Sequence, residues 1–246
     1  MAMPAVEVEA GPESQPNTVG WDDTTPALAL PTQPPVKRFM LSSNVDNREE
    51  LSQMIIALGG EICEGAELDP RATHLLCSLP GRSEKMLCSI AGGKWVLHPA
   101  YVSRSRAVGR FLDEEEFEWG NPLAETLPTL SGAEANLARA AFKWRSALSR
   151  GSPGAFAGVV ALLHVHEGRR RLLARLLEAG GGSAPDFKPP YTDANVTACF
   201  ADIKKFPLSD RDAKWLVSKG IPVCAPVLLS SYLTDETVPD PKEHCL

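Results

Sequence analysis

From residue 36 onward, short apolar runs alternate with segments whose apolar residues are spaced as in a helix. Leu51, Met54, Ile55 and Leu58 recur at i, i+3, i+4 and i+7, which predicts an amphipathic helix. The first half predicts the order β-α-β-β-α-β-α, with strands at 38–41, 61–63, 73–77 and 94–97 and helices at 48–58, 84–91 and 99–104. This alternation favours a mostly parallel sheet with helices on both faces.

Residues with capping preferences mark the ends of these helices. Asn47 and Glu50 predict a capping box at the start of the first helix, and the Gly59-Gly60 pair predicts a left-handed cap at its end. Ser83 precedes the second helix as its N-cap, and Pro99 opens the third. The predicted boundaries therefore depend on side-chain chemistry as well as on periodicity.

The same order of elements returns after residue 155. Predicted strands at 159–165, 196–201 and 221–224 alternate with helices that end at 180–182, begin after Ser209 and run over 226–232. Between the halves, Ser131 and Glu134 predict a second capping box, followed by an apolar stripe that includes Trp144. We interpret this segment as a linker helix packed on a neighbouring element, and the two halves as a tandem repeat.

Composition and the pattern of predicted elements together divide the chain into four regions. Residues 1–35 are rich in Pro, Glu, Thr and Gln without periodic apolar positions, which is typical of a disordered linker. We expect a first repeat at 36–120, an inter-repeat linker with its helix at 121–150, and a second repeat at 151–246. The sequence opens with no secretory signal and contains no run of about 18 apolar residues, so we expect no membrane span.

Charge and cysteine content argue against several function classes. The net charge of −6 disfavours broad nucleic-acid binding, which needs a basic face. The six cysteines form no C-x-x-C pair, so we interpret them as small buried side chains in a reducing compartment and expect no metal site. The acidic run 113–116 is interpreted as a solvated surface turn. Without a Ser-His-Asp set, a Cys-His pair or a Gly-rich phosphate loop, we expect neither an enzyme nor a cofactor.

Four residues of the first half have the chemistry of a phosphate site. Ser42 and Ser43 follow the first strand, Arg48 begins the first helix and Lys85 begins the second. Strand C-termini and helix N-termini meet at one edge of a parallel sheet, so the three segments can converge. A phosphomonoester carries a charge of about −1.5 to −2 and three acceptor oxygens, which two serines and two cations suit. We therefore predict that Ser42, Ser43, Arg48 and Lys85 bind phosphate.

Several segments resemble BRCT repeats. The resemblance rests on Leu58-Gly59-Gly60, Thr73-His74-Leu75, Gly93-Lys94-Trp95-Val96, Glu116-Phe117-Glu118-Trp119-Gly120 and Ala140-Ala141-Phe142-Lys143-Trp144-Arg145. It covers roughly residues 36–240 and is weaker in the second half. It implies an α/β fold of two BRCT repeats, each a four-stranded parallel sheet flanked by helices, packed head to tail through the linker helix.

The resemblance also implies a function. Tandem BRCT repeats of this kind are nuclear, non-enzymatic scaffold modules that bind phosphothreonine or phosphoserine segments of DNA repair and checkpoint proteins, here by resemblance a repair helicase and a checkpoint kinase. Ser42, Arg48 and Lys85 match the family's phosphate positions. Arg169 matches the position that contacts the peptide main chain beyond the phosphate, and Arg82 is a candidate contact for acidic peptide residues. The second repeat lacks the serine pair, so we expect it to frame downstream peptide residues.

Two other functions remain open from the sequence. One is a scaffold that docks partners through an apolar face without any phosphorylation. The other is binding of DNA ends or poly(ADP-ribose), which some BRCT repeats carry out and which the acidic charge disfavours. Binding that requires phosphorylation distinguishes the first interpretation from both.

Overall fold

The computed structural model describes residues 35–65, 67–192, 195–235 and 245. The predicted disordered linker at 1–35 lies outside these residues except for Pro35. The three other predicted regions lie mostly within the described part of the chain, and their boundaries stay predictions.

The first repeat is built on a parallel sheet of four strands in the order β2-β1-β3-β4. These strands are β1 (Arg38–Leu41), β2 (Glu61–Ile62), β3 (His74–Leu76) and β4 (Trp95–Leu97). They alternate with the helices α1 (Arg48–Ala57), α2 (Glu84–Ala91) and α3 (Ala100–Val108). The predicted order of elements is confirmed, and α3 runs one turn further than predicted, to its left-handed C-cap at Gly109.

A short 3-10 helix, Glu115–Phe117, and the long helix α4, Gly132–Ser149, lead to the second repeat. Its parallel sheet has the order β5-β6-β7, with β5 at Ala161–His164, β6 at Ala198–Ala201 and β7 at Val223–Cys224. The accompanying helices are α5 (Glu167–Ala179), α6 (Asp210–Ser218) and α7 (Val227–Thr234).

The second sheet has three strands among the described residues, not the four that we predicted. A single parallel bridge from Val160 to Ser183 stands where the first repeat has β2. Ser183 follows a glycine triplet at 180–182 and precedes Pro185, which has no N–H to donate. Glycine offers no side chain to pack, and proline interrupts the hydrogen-bond ladder, so the pairing does not extend into a strand.

Helix caps explain the local boundaries, with one correction. Ser83 Oγ accepts a hydrogen bond from the backbone N–H of Met86, and Ser131 forms the predicted capping box with Glu134. The capping box predicted at Asn47 is wrong, since that residue has a left-handed backbone (φ 51°) and its side chain makes no capping hydrogen bond. A capping side chain needs an extended N-cap backbone, which this turn does not have.

One hydrophobic cluster spans both repeats, and each repeat has a further cluster of its own. Helix α2 of the first repeat packs against α5 and α7 of the second, and α4 packs on both α2 and α7. Met86, Leu137, Leu176 and Leu233 are buried together in this cluster. The predicted linker helix therefore does pack between the repeats, and the α/β tandem fold is confirmed. No helix in the described ranges is both long and apolar enough to cross a bilayer.

The acidic run 113–116 is a solvated turn only in part: Asp113 and Glu116 are exposed, but Glu114 is largely buried in an ion-pair network. Its carboxylate accepts a hydrogen bond from Lys37 Nζ and lies 3.1 Å from Nε2 of the buried His74. Burial favours a raised pKa for Glu114, but the hydrogen bonds from His74 and Lys37 outweigh it and lower the pKa to about 2. Burial also lowers the pKa of His74. His74 and Lys37, which are 40 and 77 residues away in the chain, therefore determine the charge state of Glu114.

The cysteine prediction needs one correction as well. Cys224 and Cys245 are joined by a disulfide across 21 residues, at an antiparallel bridge between β7 and the end of the chain. The other cysteines are free and buried, as predicted: Cys63, Cys77, Cys88 and Cys199. Within the described ranges, no group of three or more His, Cys, Asp or Glu residues could hold a metal ion.

Candidate phosphate-binding site

A cavity of about 560 Å³ opens at the carboxyl edge of the first sheet. Its walls come from the end of β1, the start of α1, the loop after β2 and the start of α2. The lining residues are Leu41, Ser42, Ser43, Arg48, Gly65, Ser83, Glu84 and Lys85. The structure therefore brings together all four residues that the sequence pointed to.

The backbone of the β1–α1 loop holds Ser42 in place. Its N–H donates to the carbonyl of Leu76 at 2.9 Å, which continues the sheet by one residue, and its carbonyl accepts from Val45 N at 3.2 Å. No hydrogen bond engages the Ser42 hydroxyl or the Ser43 N–H within the described part of the chain. Both groups can therefore donate to a ligand in the cavity.

Arg48 reinforces the same loop from the first turn of α1. Its Nη1 donates to the carbonyl of Ser42 at 2.6 Å, while the rest of the side chain is exposed. A guanidinium has five N–H donors, so one bond to the loop leaves several for an anion. Arg48 thus positions Ser42 and adds a positive charge at the mouth of the cavity.

Lys85 supplies the deeper of the two cationic groups. The residue is only 9% exposed, and its Nζ donates to the carbonyls of Gly65 at 2.9 Å and Leu41 at 3.3 Å. Burial is the main cause of its lowered pKa, and the nearby charge of Arg48 adds to that effect. An anion in the cavity would offset both penalties, so the geometry favours a negatively charged ligand.

The start of α2 adds donors that do not depend on side-chain charge. Ser83 caps this helix and lines the cavity together with Glu84. The N–H groups of a first helical turn have no intrahelical partner and attract anions. Sequence reasoning identified Ser83 as a cap but missed Gly65 and Glu84 as part of the site. The Ser83 cap could have indicated Glu84, because it places this residue in the first turn of α2. No feature of the sequence indicated Gly65.

A second cavity, of about 480 Å³, lies in the second repeat. Its walls are mainly apolar, and they carry two cationic side chains and one carboxylate: Arg169, Ala201, Asp202, Ile203, Lys204, Cys224, Ala225, Pro226, Val227 and Cys245. The Arg169 side chain is 45% exposed, and its Nη1 lies 3.4 Å from Asp202 Oδ2. Arg169 therefore lies outside the first cavity, loosely paired and open to solvent.

Arg82 links the two repeats through a hydrogen bond. It precedes Ser83 of the first cavity, and its Nη2 donates to the hydroxyl of Ser230 on α7. Ser230 in turn donates to the carbonyl of Val227 at 2.9 Å, and Val227 lines the second cavity. Arg82, the residue before Ser83, is thus joined to the helix whose first residue, Val227, lines the second cavity.

Residues 36–105 match the family model of the BRCA1 C Terminus (BRCT) domain, so the BRCT prediction is confirmed for the first repeat. The structure as a whole has the fold of tandem BRCT domains. It is similar to the BRCT5–BRCT6 domains of S. pombe Brc1, with a TM-score of 0.54 and 16% identity, over 82% of this chain and 93% of that one. It is also similar to Rtt107p, solved in complex with a phosphorylated histone, with a TM-score of 0.50 and 11% identity over 85% and 92% of the two chains.

Curated relatives show higher sequence identity. The SMC5-SMC6 complex localization factor protein 1 of Bos taurus is 34% identical over 143 residues, which are 57% of this chain and 13% of the relative. A BRCT domain-containing protein of Arabidopsis thaliana is 30% identical over 203 residues, or 81% of this chain and 15% of the relative. The chain thus spans about one seventh of the length of these relatives.

Proposed function

We propose that this chain binds phosphorylated Ser or Thr segments of other proteins, with the phosphate in the cavity of the first repeat. The observation that carries the proposal is the meeting of Ser42, Ser43, Arg48 and Lys85 in one cavity, two of them with unengaged donors. Ser42 and Ser43 donate to phosphate oxygens, Lys85 neutralises charge from below, and Arg48 closes the site from solvent.

The energetics suit a site that requires phosphorylation. Hydrogen bonds to charged groups contribute about 1.5–3 kcal/mol each, roughly twice the contribution of neutral ones. An unmodified hydroxyl would reach the cavity without the charge that Lys85 and Arg48 balance. The desolvation of Lys85 would then stay uncompensated, so the unphosphorylated segment binds far more weakly.

The peptide continues from the phosphate across Arg82 towards Arg169. Residues after the phosphoresidue enter the apolar second cavity, where the guanidinium of Arg169 meets main-chain carbonyls. Arg82 lies between the cavities and contacts acidic residues of the peptide. The second cavity lacks the serine pair of the first, so it binds no phosphate of its own.

Relatives and resemblance support the biological setting that we propose. One relative is a localization factor of the SMC5-SMC6 complex, and one structural neighbour was solved with a phosphorylated histone. The segments 40–43, 92–98 and 140–145 resemble the C-terminal BRCT pair of DNA topoisomerase II-binding protein. We infer a non-enzymatic scaffold of the DNA damage response and replication checkpoint, located in the nucleus. Its preference for phosphothreonine and its partners, a repair helicase and a checkpoint kinase, rest on that resemblance.

Fluorescence polarisation with two labelled peptide pools tests the proposal. Both pools have random flanks, and one has a central phosphothreonine where the other has threonine. The phosphorylated pool is expected to bind at least about tenfold more tightly, and Ser42→Ala is expected to lose about tenfold of that affinity. Ser149→Ala, an exposed serine at the end of α4, is the matched control and keeps full binding. Equal affinity for the two pools refutes the proposal and favours a phosphorylation-independent scaffold.

A further inference from the structure

One acidic residue lines the cavity proposed for phosphate. Glu84 begins α2, next to Lys85, and its carboxylate would repel a phosphate group. The charged residues in the lining are Arg48, Lys85 and Glu84, so the lining by itself has a net charge of only about one positive unit. A phosphomonoester near neutral pH carries about −1.5 to −2, which this lining does not match.

A residue of the second repeat compensates Glu84. Arg175, on α5, places its Nη1 2.8 Å from Glu84 Oε1, and its Nη2 lies 2.9 Å from Glu67 Oε2. The packing of α2 against α5 brings these side chains together across 91 residues of sequence. The side chains of Arg175 and Glu84 are both three-quarters buried, which limits the screening of their interaction by solvent.

We propose that Arg175 is a positioning residue for the phosphate site, although it lies in the other repeat and does not line the cavity. Its guanidinium bridges the Glu84 carboxylate of the lining and the more exposed Glu67 carboxylate, and it offsets the one negative charge in the lining. The cavity then presents the two positive charges of Arg48 and Lys85 to a dianion. Docking of the second repeat therefore sets the phosphate affinity of the first. This inference rests on the proposed function, since it concerns the same cavity.

A double-mutant cycle with a minimal ligand tests this role. The probe is N-acetyl-phosphothreonine N-methylamide, titrated by NMR, because it is small enough to occupy the first cavity without reaching Arg169. Arg175→Gln is expected to weaken its binding by about five- to tenfold, the effect of one uncompensated unit charge in a partly solvated site. Arg175→Gln with Glu84→Gln is expected to restore affinity to within about twofold of the unchanged protein. Arg171→Gln removes the same charge from an exposed position on α5 and is the control.

The outcomes separate an electrostatic role from a structural one. If the double variant binds as weakly as Arg175→Gln, Arg175 acts only by holding the repeats together and the inference is overturned. Should Arg175→Gln fail to fold, Arg175→Lys gives the answer, because it keeps the charge and removes the guanidinium: binding within about twofold of the unchanged protein supports the inference, and a loss of about five- to tenfold overturns it. If the unchanged protein does not prefer the phosphorylated probe over N-acetyl-threonine N-methylamide, the proposed function fails. The role of Arg175 at a phosphate site then fails with it.

Discussion

Replacing Lys85 by methionine separates binding from folding at the proposed phosphate site. Methionine has nearly the length and volume of the lysine stem, so the packing around this 9% exposed residue is retained. The substitution removes the ammonium group that donates to the carbonyls of Leu41 and Gly65. It also removes the cost of holding a cation in a partly desolvated position, which is the main cause of the lowered pKa of Lys85.

The expected magnitudes differ for the two properties. Loss of a charge-assisted hydrogen bond to phosphate costs about 1.5–3 kcal/mol, which corresponds to a loss of about 10- to 150-fold in affinity. The free energy of unfolding should change by only about 1 kcal/mol. Two carbonyls lose a hydrogen-bond donor, but the cost of burying a cation is removed as well. Lys85→Glu is a poorer test, because it would place a carboxylate against the same two carbonyl oxygens and destabilise the fold.

Fluorescence polarisation with the phosphothreonine pool measures the binding of Lys85→Met, and urea unfolding measures its stability. Lys214→Met removes an exposed lysine of α6 and should change neither. A folded Lys85→Met protein that binds within about twofold of the unchanged one would refute the assignment of Lys85 to the phosphate.

Three further predictions concern other parts of the molecule. Arg145→Met leaves the fully buried carboxylate of Glu118 without its ion-pair partner, 2.7 Å away, and should cost about 3–5 kcal/mol, measured as a lower urea midpoint; an unchanged midpoint contradicts this. The pKa of Glu114 is lowered to about 2, so its ionised carboxylate stabilises the fold above pH 4.5, and this contribution is lost as the pH falls towards 2. Glu114→Gln should therefore reduce the decrease of the unfolding free energy between pH 4.5 and 2. An unchanged decrease would exclude Glu114 as its cause. Arg169→Ala should weaken binding of a phosphopeptide by about tenfold but leave N-acetyl-phosphothreonine N-methylamide unaffected, and an equal loss for both probes would place Arg169 at the phosphate instead.

Features encoded within a few neighbouring residues could be predicted from the sequence. Helix α2 has the predicted bounds, because Ser83 caps its start and Gly92 and Gly93 end it. Convergence of the serine loop with Lys85 also followed from the sequence, because the parallel order of strands requires their carboxyl ends to share an edge.

Features that depend on distant pairs could not be predicted. The buried state of Glu114 depends on His74 and Lys37, and the neutralisation of Glu84 depends on Arg175, 91 residues away. Neither pair has a local pattern in the sequence. The left-handed backbone of Asn47 could not be predicted either. A capping motif shows which hydrogen bond is possible, but it does not determine which turn the loop adopts.

A map of backbone amide shifts on addition of N-acetyl-phosphothreonine N-methylamide tests whether the serine loop and the start of α2 bind phosphate. We expect saturable shifts concentrated at Ser42, Ser43, Glu84 and Lys85, and none with the threonine analogue that lacks the phosphate. Shifts confined to the second repeat, or the same shifts with both compounds, would show that the serine loop and the start of α2 do not form a phosphate site.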